Sequence, residues 1–101
     1  MYHATGVLWY KGTMIEDLRH PILVERVQTG VRMEKRLLKV LKALAELKGL
    51  TLGDLLEGIV LHAFEGVPPF PPRTLKEIEQ LRSIYGLTLR ARDSHHMKEP
   101  L

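Results

Sequence analysis

The chain has 101 residues, no cysteine, 45% hydrophobic and 27% charged residues, and a formal net charge of +3. This length suits one small domain, and the lack of cysteine excludes disulfides, thiolate metal sites and a cysteine nucleophile. Charged residues or glycine interrupt every apolar run before it reaches the roughly 20 residues of a membrane-spanning helix, and the first residues carry no signal-peptide pattern. We therefore expect a cytoplasmic protein that does not enter a membrane.

Charge is unevenly distributed along the chain. Residues 22–51 include seven basic and three acidic residues, whereas residues 52–66 include three acidic residues and no lysine or arginine. A partner with negative charge is expected to meet the first stretch, and any positive contribution from the second must come from its backbone. This mildly basic balance permits nucleic-acid binding without requiring it.

The first predicted elements are an arm and a strand. Residues 1–21 show no clear period and are interpreted as an N-terminal arm. Residues 22–33 are rich in isoleucine, valine and threonine, and polar residues alternate with a set that we expect to be buried: Val27, Thr29, Val31 and Met33. A lone strand leaves its backbone groups without partners, and the sequence offers no convincing second strand. We therefore expect the identical strand of a second copy to pair with it antiparallel about a two-fold axis.

Two helices are predicted to follow the strand and to complete a core over residues 22–66. Leucines at spacings of three and four mark an amphipathic helix from Glu34 to Lys48, and Gly49 is suited to end it. Thr51 is a suitable N-cap for the second helix, which is expected to stop by Gly66.

The rest of the chain is predicted to add a spacer, a third helix and a tail. Four prolines lie within residues 67–73, which are expected to form a semi-rigid spacer. Thr74 followed by Glu77 has the pattern of a capping box and predicts a helix over residues 74–86. Residues 87–101 are interpreted as a polar tail.

The order of these elements resembles a known family. Over about residues 26–64 the chain is similar to the ribbon-helix-helix (MetJ/Arc-type) DNA-binding family. The similarity lies in the alternating segment that ends in Val31-Arg32-Met33, in the two helices, and in the turn between them with Gly49 and Thr51. The resemblance implies a mostly α fold, an intertwined homodimer with a two-stranded antiparallel β-ribbon between the subunits, extended here by the N-terminal arm and the C-terminal third helix. It also implies a sequence-specific transcriptional regulator that inserts the ribbon into the major groove of double-stranded DNA.

The resemblance further implies which residues contact DNA. The outward ribbon residues, expected at base edges, are Gln28, Gly30 and Arg32. Arginine pairs bidentately with guanine and glutamine with adenine, whereas Gly30 has no side chain to read a base. The family binds a phosphate at the start of the second helix, and basic residues beside the ribbon add phosphate contacts. Carried over to this chain, the phosphate contacts are Arg26, Lys35, Arg36, Thr51, Leu52 and Gly53.

Two alternatives stay open. In the first, the ribbon dimer is an antitoxin-like protein-interaction module that binds DNA weakly and holds a protein partner through the third helix. In the second, the chain is a small enzyme that uses His95 and His96. Neighbouring imidazoles point apart in most backbones, so these two residues are interpreted as part of a disordered tail. We expect no enzymatic activity, no metal and no cofactor, and we interpret the lysine-rich face of the first helix as a solvated surface.

Overall fold

The computed structural model describes residues 21–101 and, before them, residues 7–10 and 13–16. The chain divides into two compact units, Met1–Val31 and Arg32–Leu101. The N-terminal arm predicted over residues 1–21 therefore lies mostly outside the described residues.

The first unit contains an antiparallel pair of strands. Strand β1 (Val7–Tyr10) pairs with strand β2 (Thr13–Glu16), and Tyr10 lies opposite Thr13. Valine, isoleucine, threonine and the aromatic residues of these segments favour strands. These strands are not predictable from the sequence, because four residues are too few to display a period.

The prediction of a β-ribbon over residues 22–33, and of the ribbon-helix-helix fold that depends on it, is wrong for the described residues. Residues 21–34 have no regular secondary structure, and the second unit is helical. Of the face expected to be buried, Thr29 is exposed, Met33 is half-buried, and Val27 and Val31 are 78% and 74% exposed. The alternating pattern requires a neighbouring strand to satisfy the backbone, and among the described residues the only strand pairing is that of β1 with β2.

Helix α1 (Lys35–Lys48) ends where the sequence predicts and begins one residue after the predicted start at Glu34. The carboxylate of Glu34 caps it, accepting a hydrogen bond from the backbone N–H of Leu37 at 2.8 Å. Gly49 ends it at φ 69°, a left-handed conformation that favours glycine, and the following amide of Leu50 donates to the carbonyl of Ala45. The prediction of Gly49 as the end of the helix is confirmed.

Helix α2 (Leu52–Phe64) also begins as predicted. The hydroxyl of Thr51 accepts a hydrogen bond from the amide of Asp54 at 3.1 Å, which satisfies one of the unpaired donors of the first turn. The helix ends just before Gly66, whose φ is 70°. Its N-cap prediction is therefore confirmed.

Helix α3 (Pro72–Tyr85) begins two residues before the predicted start. Its N-cap is Pro71, which has no side-chain hydrogen bond, and Pro72 occupies the first turn. Thr74 is only 5% exposed and lies inside the helix, so the predicted capping box is wrong. Proline suits the first position of a helix because its φ is already helical and its missing N–H would have no partner there. Gly86 ends the helix at φ 67°, as predicted.

The core of the second unit lies around α1. Leu44 and Ala45 of α1 pack with Leu55 of α2, and side chains from all three helices and the intervening loop surround them: Leu41, Ile59, Phe70, Ile78 and Leu81. Helix α1 contacts both α2 and α3. Lys48 bonds to Glu77 of α3, and Arg36, at the other end of α1, bonds to the carbonyl of Gly86, so α1 and α3 are antiparallel. No helix in the described part of the chain is long and apolar enough to span a membrane.

Candidate nucleic-acid interface

Three of the predicted DNA contacts lie in the first unit. Arg26, Gln28 and Gly30 are exposed on a segment without regular secondary structure. A Cβ atom added at Gly30 would meet no atom within 4 Å, so the chain itself does not require glycine there. The structure does not assemble these residues into a binding surface.

The predicted contacts in the second unit begin just before α1. Arg32, Lys35 and Arg36 are all exposed, and the first turn of α1 contains no acidic residue. Cations at the start of a helix meet the positive end of the helix dipole, which disfavours them slightly. The capping carboxylate of Glu34 offsets this, and hydrogen bonds from the amides of Arg36 and Leu37 hold the pKa of Glu34 below its usual value.

A row of lysines continues this positive surface along α1. We call Lys35, Lys39 and Lys42 the basic stripe; they recur at spacings of four and three, and all are exposed. Leu44 and Ala45 point from the other side of α1 into the core. The stripe therefore faces solvent and leaves three ammonium groups accessible to an anionic partner.

The start of α2 supplies backbone donors but a mixed charge. Leu52 and Gly53 carry the first amides of the helix, which have no acceptor within it, while the Thr51 hydroxyl is already bonded to the amide of Asp54. Asp54 lies in the same turn and opposes the attraction of an anion. At 1.5 Å per residue, the 14 residues of α1 place this turn about 21 Å from the start of α1. Within one chain, the two predicted phosphate-binding regions therefore cannot contact the same phosphate.

A residue that the sequence analysis missed pairs with Arg32. The guanidinium of Arg32 donates from Nε to Oε1 of Glu99 at 3.1 Å and from Nη2 to Oε2 at 2.8 Å. These are two parallel hydrogen bonds between residues 67 positions apart. No local pattern could have revealed this pair, because the two residues belong to different elements.

The polar tail is anchored to α3, in contrast to the disordered tail expected from the sequence. Arg90 donates to Glu79 at 2.8 Å, and Arg82 donates from Nη2 to the carbonyl of Leu89 at 2.8 Å. The hydrogen bond from Arg90 holds the pKa of Glu79 below its usual value. A 3₁₀ turn at Ala91–Asp93 follows.

Helix α2 carries a large exposed apolar surface. We call Leu52, Leu56, Val60 and Phe64 the apolar row; these residues recur every fourth position along the helix. Leu52 and Leu56 are half-buried, whereas Val60 is 43% and Phe64 is 83% exposed. A helix with so few charges displays no single apolar face, so its sequence does not indicate which of these side chains the core covers.

The histidines do not form a metal site in the part of the chain that the structure describes. No group of three or more histidine, aspartate or glutamate residues there could hold a metal ion. His62 is half-buried, and its Nδ1 lies 2.6 Å from the carbonyl of Gly58 in its own helix.

Comparison of the chain with protein-family models, curated proteins and solved structures finds no match.

Proposed function

We propose that this protein is a homodimeric DNA-binding protein that acts as a transcriptional regulator, and that its DNA contact includes the exposed basic surface at the start of α1. The observation that carries this proposal is the cluster of exposed cations formed by Arg32, Arg36 and the basic stripe. The proposal does not involve a β-ribbon.

The electrostatic part of this proposal follows from the spacing of the basic stripe. Lys35 and Lys42 lie seven residues apart, which is about 10 Å along a helix. Duplex DNA carries one negative charge per roughly 1.7 Å of its axis, so about six phosphates lie within that length. Lysine ammonium groups that neutralise phosphates release condensed counterions, and the affinity then falls steeply as salt rises.

The specific part of the proposal rests on Arg32. This side chain is 84% exposed, and its fork of donors already holds a carboxylate with two hydrogen bonds. The same planar geometry matches the O6 and N7 acceptors of guanine or two phosphate oxygens. Arg32 is therefore the residue in the second unit best suited to read a base.

The homodimeric part of the proposal rests on the apolar row of α2. Within the described residues only five hydrophobic side chains are buried, whereas Phe64 and Leu61 are largely exposed. An exposed apolar surface of this kind is stabilised by association with another surface. The row itself carries no charge, so the rows of two copies can meet about a two-fold axis without repulsion between like charges.

The proposal is tested by the binding of the chain to labelled duplexes of random sequence, measured by fluorescence anisotropy at several salt concentrations. We expect binding that weakens with salt, and we expect Lys35→Ala and Lys39→Ala each to lower the affinity about eight-fold at 0.1 M salt if each removes one phosphate contact. The control is Arg73→Ala, which removes an exposed cation from the first turn of α3, at the end remote from Lys35. Equal losses in all three variants, or no binding at low salt, would contradict the proposal.

A protein-interaction module is the second candidate, and the exposed apolar side chains of α3 favour it. Ile84 is 72% and Leu75 is 50% exposed, so the third helix offers apolar surface to a protein partner. This function predicts a stoichiometric partner that co-purifies with the chain and is lost on substitution of Ile84 by serine. The DNA-binding function predicts that Ile84→Ser, which adds no charge near the start of α1, leaves binding to the duplex pool unchanged.

A further inference from the structure

The contact between Arg32 and Glu99 occupies the side chain that is best suited to contact DNA. Both residues are exposed, at 84% and 70% of their side-chain surface, so no burial forces them together. Both carboxylate oxygens are used, and they take the Nε and Nη2 donors of the guanidinium. A guanine edge or a phosphate that binds through this pair of donors has to displace Glu99, and one that binds through Nη1 meets a guanidinium already paired with a negative charge.

The Arg32–Glu99 ion pair lies where two segments of the chain run beside each other. A groove is lined on one side by residues 32–35 and on the other by residues 97–100. The segment of residues 97–100 therefore lies beside the start of α1, next to Lys35 as well as Arg32. Its Glu99 presents a carboxylate where the proposed function would place the DNA backbone.

The fold holds this segment near α1. Arg90 and Arg82 tie the preceding residues to α3, and α3 packs on α1. After the 3₁₀ turn, His95 adopts φ 66°, a left-handed conformation that is uncommon for residues other than glycine and that changes the direction of the chain. Because the segment is covalently attached and held close by, its effective concentration at Arg32 is high.

We propose that residues 97–100 form an intramolecular latch in which Glu99 competes with DNA for Arg32, so that the chain binds DNA less tightly than its basic surface allows. This inference rests on the DNA-binding function proposed above. An exposed ion pair contributes little, so the latch weakens DNA binding by about two- to five-fold at moderate salt. Salt screens the ion pair, so the effect of the latch decreases as salt rises.

The test is a double-mutant cycle on DNA affinity with the full chain. The variants are Glu99→Gln, which keeps the shape of the side chain and removes its charge, Arg32→Ala, and the combination of the two. We expect Glu99→Gln to raise the affinity two- to five-fold in the wild-type background and by a smaller factor in the Arg32→Ala background. The cycle separates the latch from the general benefit of removing one negative charge, because that benefit is present in both backgrounds.

A measurement without DNA tests whether the latch forms. The side-chain Nε–H resonance of Arg32, assigned by its loss in Arg32→Ala, is expected to shift in the Glu99→Gln variant. A resonance that does not shift would overturn the latch and leave the proposed function standing. An equal increase in DNA affinity from Glu99→Gln in the wild-type and Arg32→Ala backgrounds would also overturn the latch and leave the proposed function standing. Absence of DNA binding by all four proteins at low salt, with the resonance shifted, would overturn the proposed function and with it the competition, although the contact itself would be established.

Discussion

Replacement of Phe64 by alanine tests whether the apolar row of α2 is an interface between copies of the chain. Phe64 is 83% exposed, so its ring contributes little to the fold of a single chain. A phenylalanine buries about 150 to 250 Å² when it is covered, and at roughly 25 cal/mol per Å² the exposed fraction corresponds to about 3 to 5 kcal/mol for each copy. We expect Phe64→Ala to raise the dissociation constant of the dimer by at least about 100-fold.

Sedimentation equilibrium over a range of protein concentrations measures this change directly. The matched control is Ile84→Ala, because Ile84 is 72% exposed but lies on α3 and outside the apolar row. We expect the control to dissociate like the wild type, and both variants to keep the helical circular dichroism of the wild type. A wild-type chain that is monomeric at about 100 μM, or a Phe64→Ala variant that dimerises normally, would refute the reasoning.

Four further substitutions test the fold. Leu44 is 2% exposed, and we expect Leu44→Ala to lower the free energy of unfolding by about 3 kcal/mol in urea denaturation; a loss below about 1 kcal/mol would mean that the core lies elsewhere. Gly86→Ala is expected to lower the free energy of unfolding by about 1 kcal/mol, because φ is 67° there. Gly58→Ala lies inside α2 with no atom within 4 Å of the added Cβ, and it is expected to raise the free energy of unfolding by up to about 1 kcal/mol. Thermal melts in which Gly86→Ala is the more stable variant would contradict the helix ends described above. The pKa of Glu34 is lowered in the folded chain. The contribution of Glu34 to stability is therefore present at pH values above its usual pKa of 4.5 and is lost as the pH falls through the lowered pKa. Glu34→Gln should reduce the dependence of stability on pH in that range, and an unchanged pH profile would contradict this role.

The helix ends were predictable from the sequence because capping is local. Glu34 bonds to the amide of Leu37, and Thr51 bonds to the amide of Asp54, so each cap and its partner lie three residues apart. Gly49 and Gly86 occupy left-handed conformations at the positions where helical periodicity stops. The start of α3 was misjudged because two local signals competed there. The proline at position 72 prevailed over the threonine pattern that follows it.

The features that the sequence could not supply depend on distant residues. Alternation over residues 22–33 indicates that a segment could have one buried face, but it does not indicate whether a second strand lies beside it. The pairing of Arg32 with Glu99 spans 67 positions and leaves no periodic signal. Burial on α2 likewise depends on packing, because Leu55 faces α1 whereas Phe64 does not, although the two residues are equally apolar in the sequence.

The most direct measurement of the central claim is the salt dependence of binding to a fixed duplex, compared between the wild type and a variant in which Lys35, Lys39 and Lys42 are all replaced by glutamine. The basic stripe accounts for up to three phosphate contacts, so we expect the slope of log affinity against log salt to become shallower by about 2 to 3 in the variant. Circular dichroism of the variant should match that of the wild type, because all three side chains are exposed. An unchanged slope in a folded variant would contradict the claim that the basic surface of α1 contacts DNA.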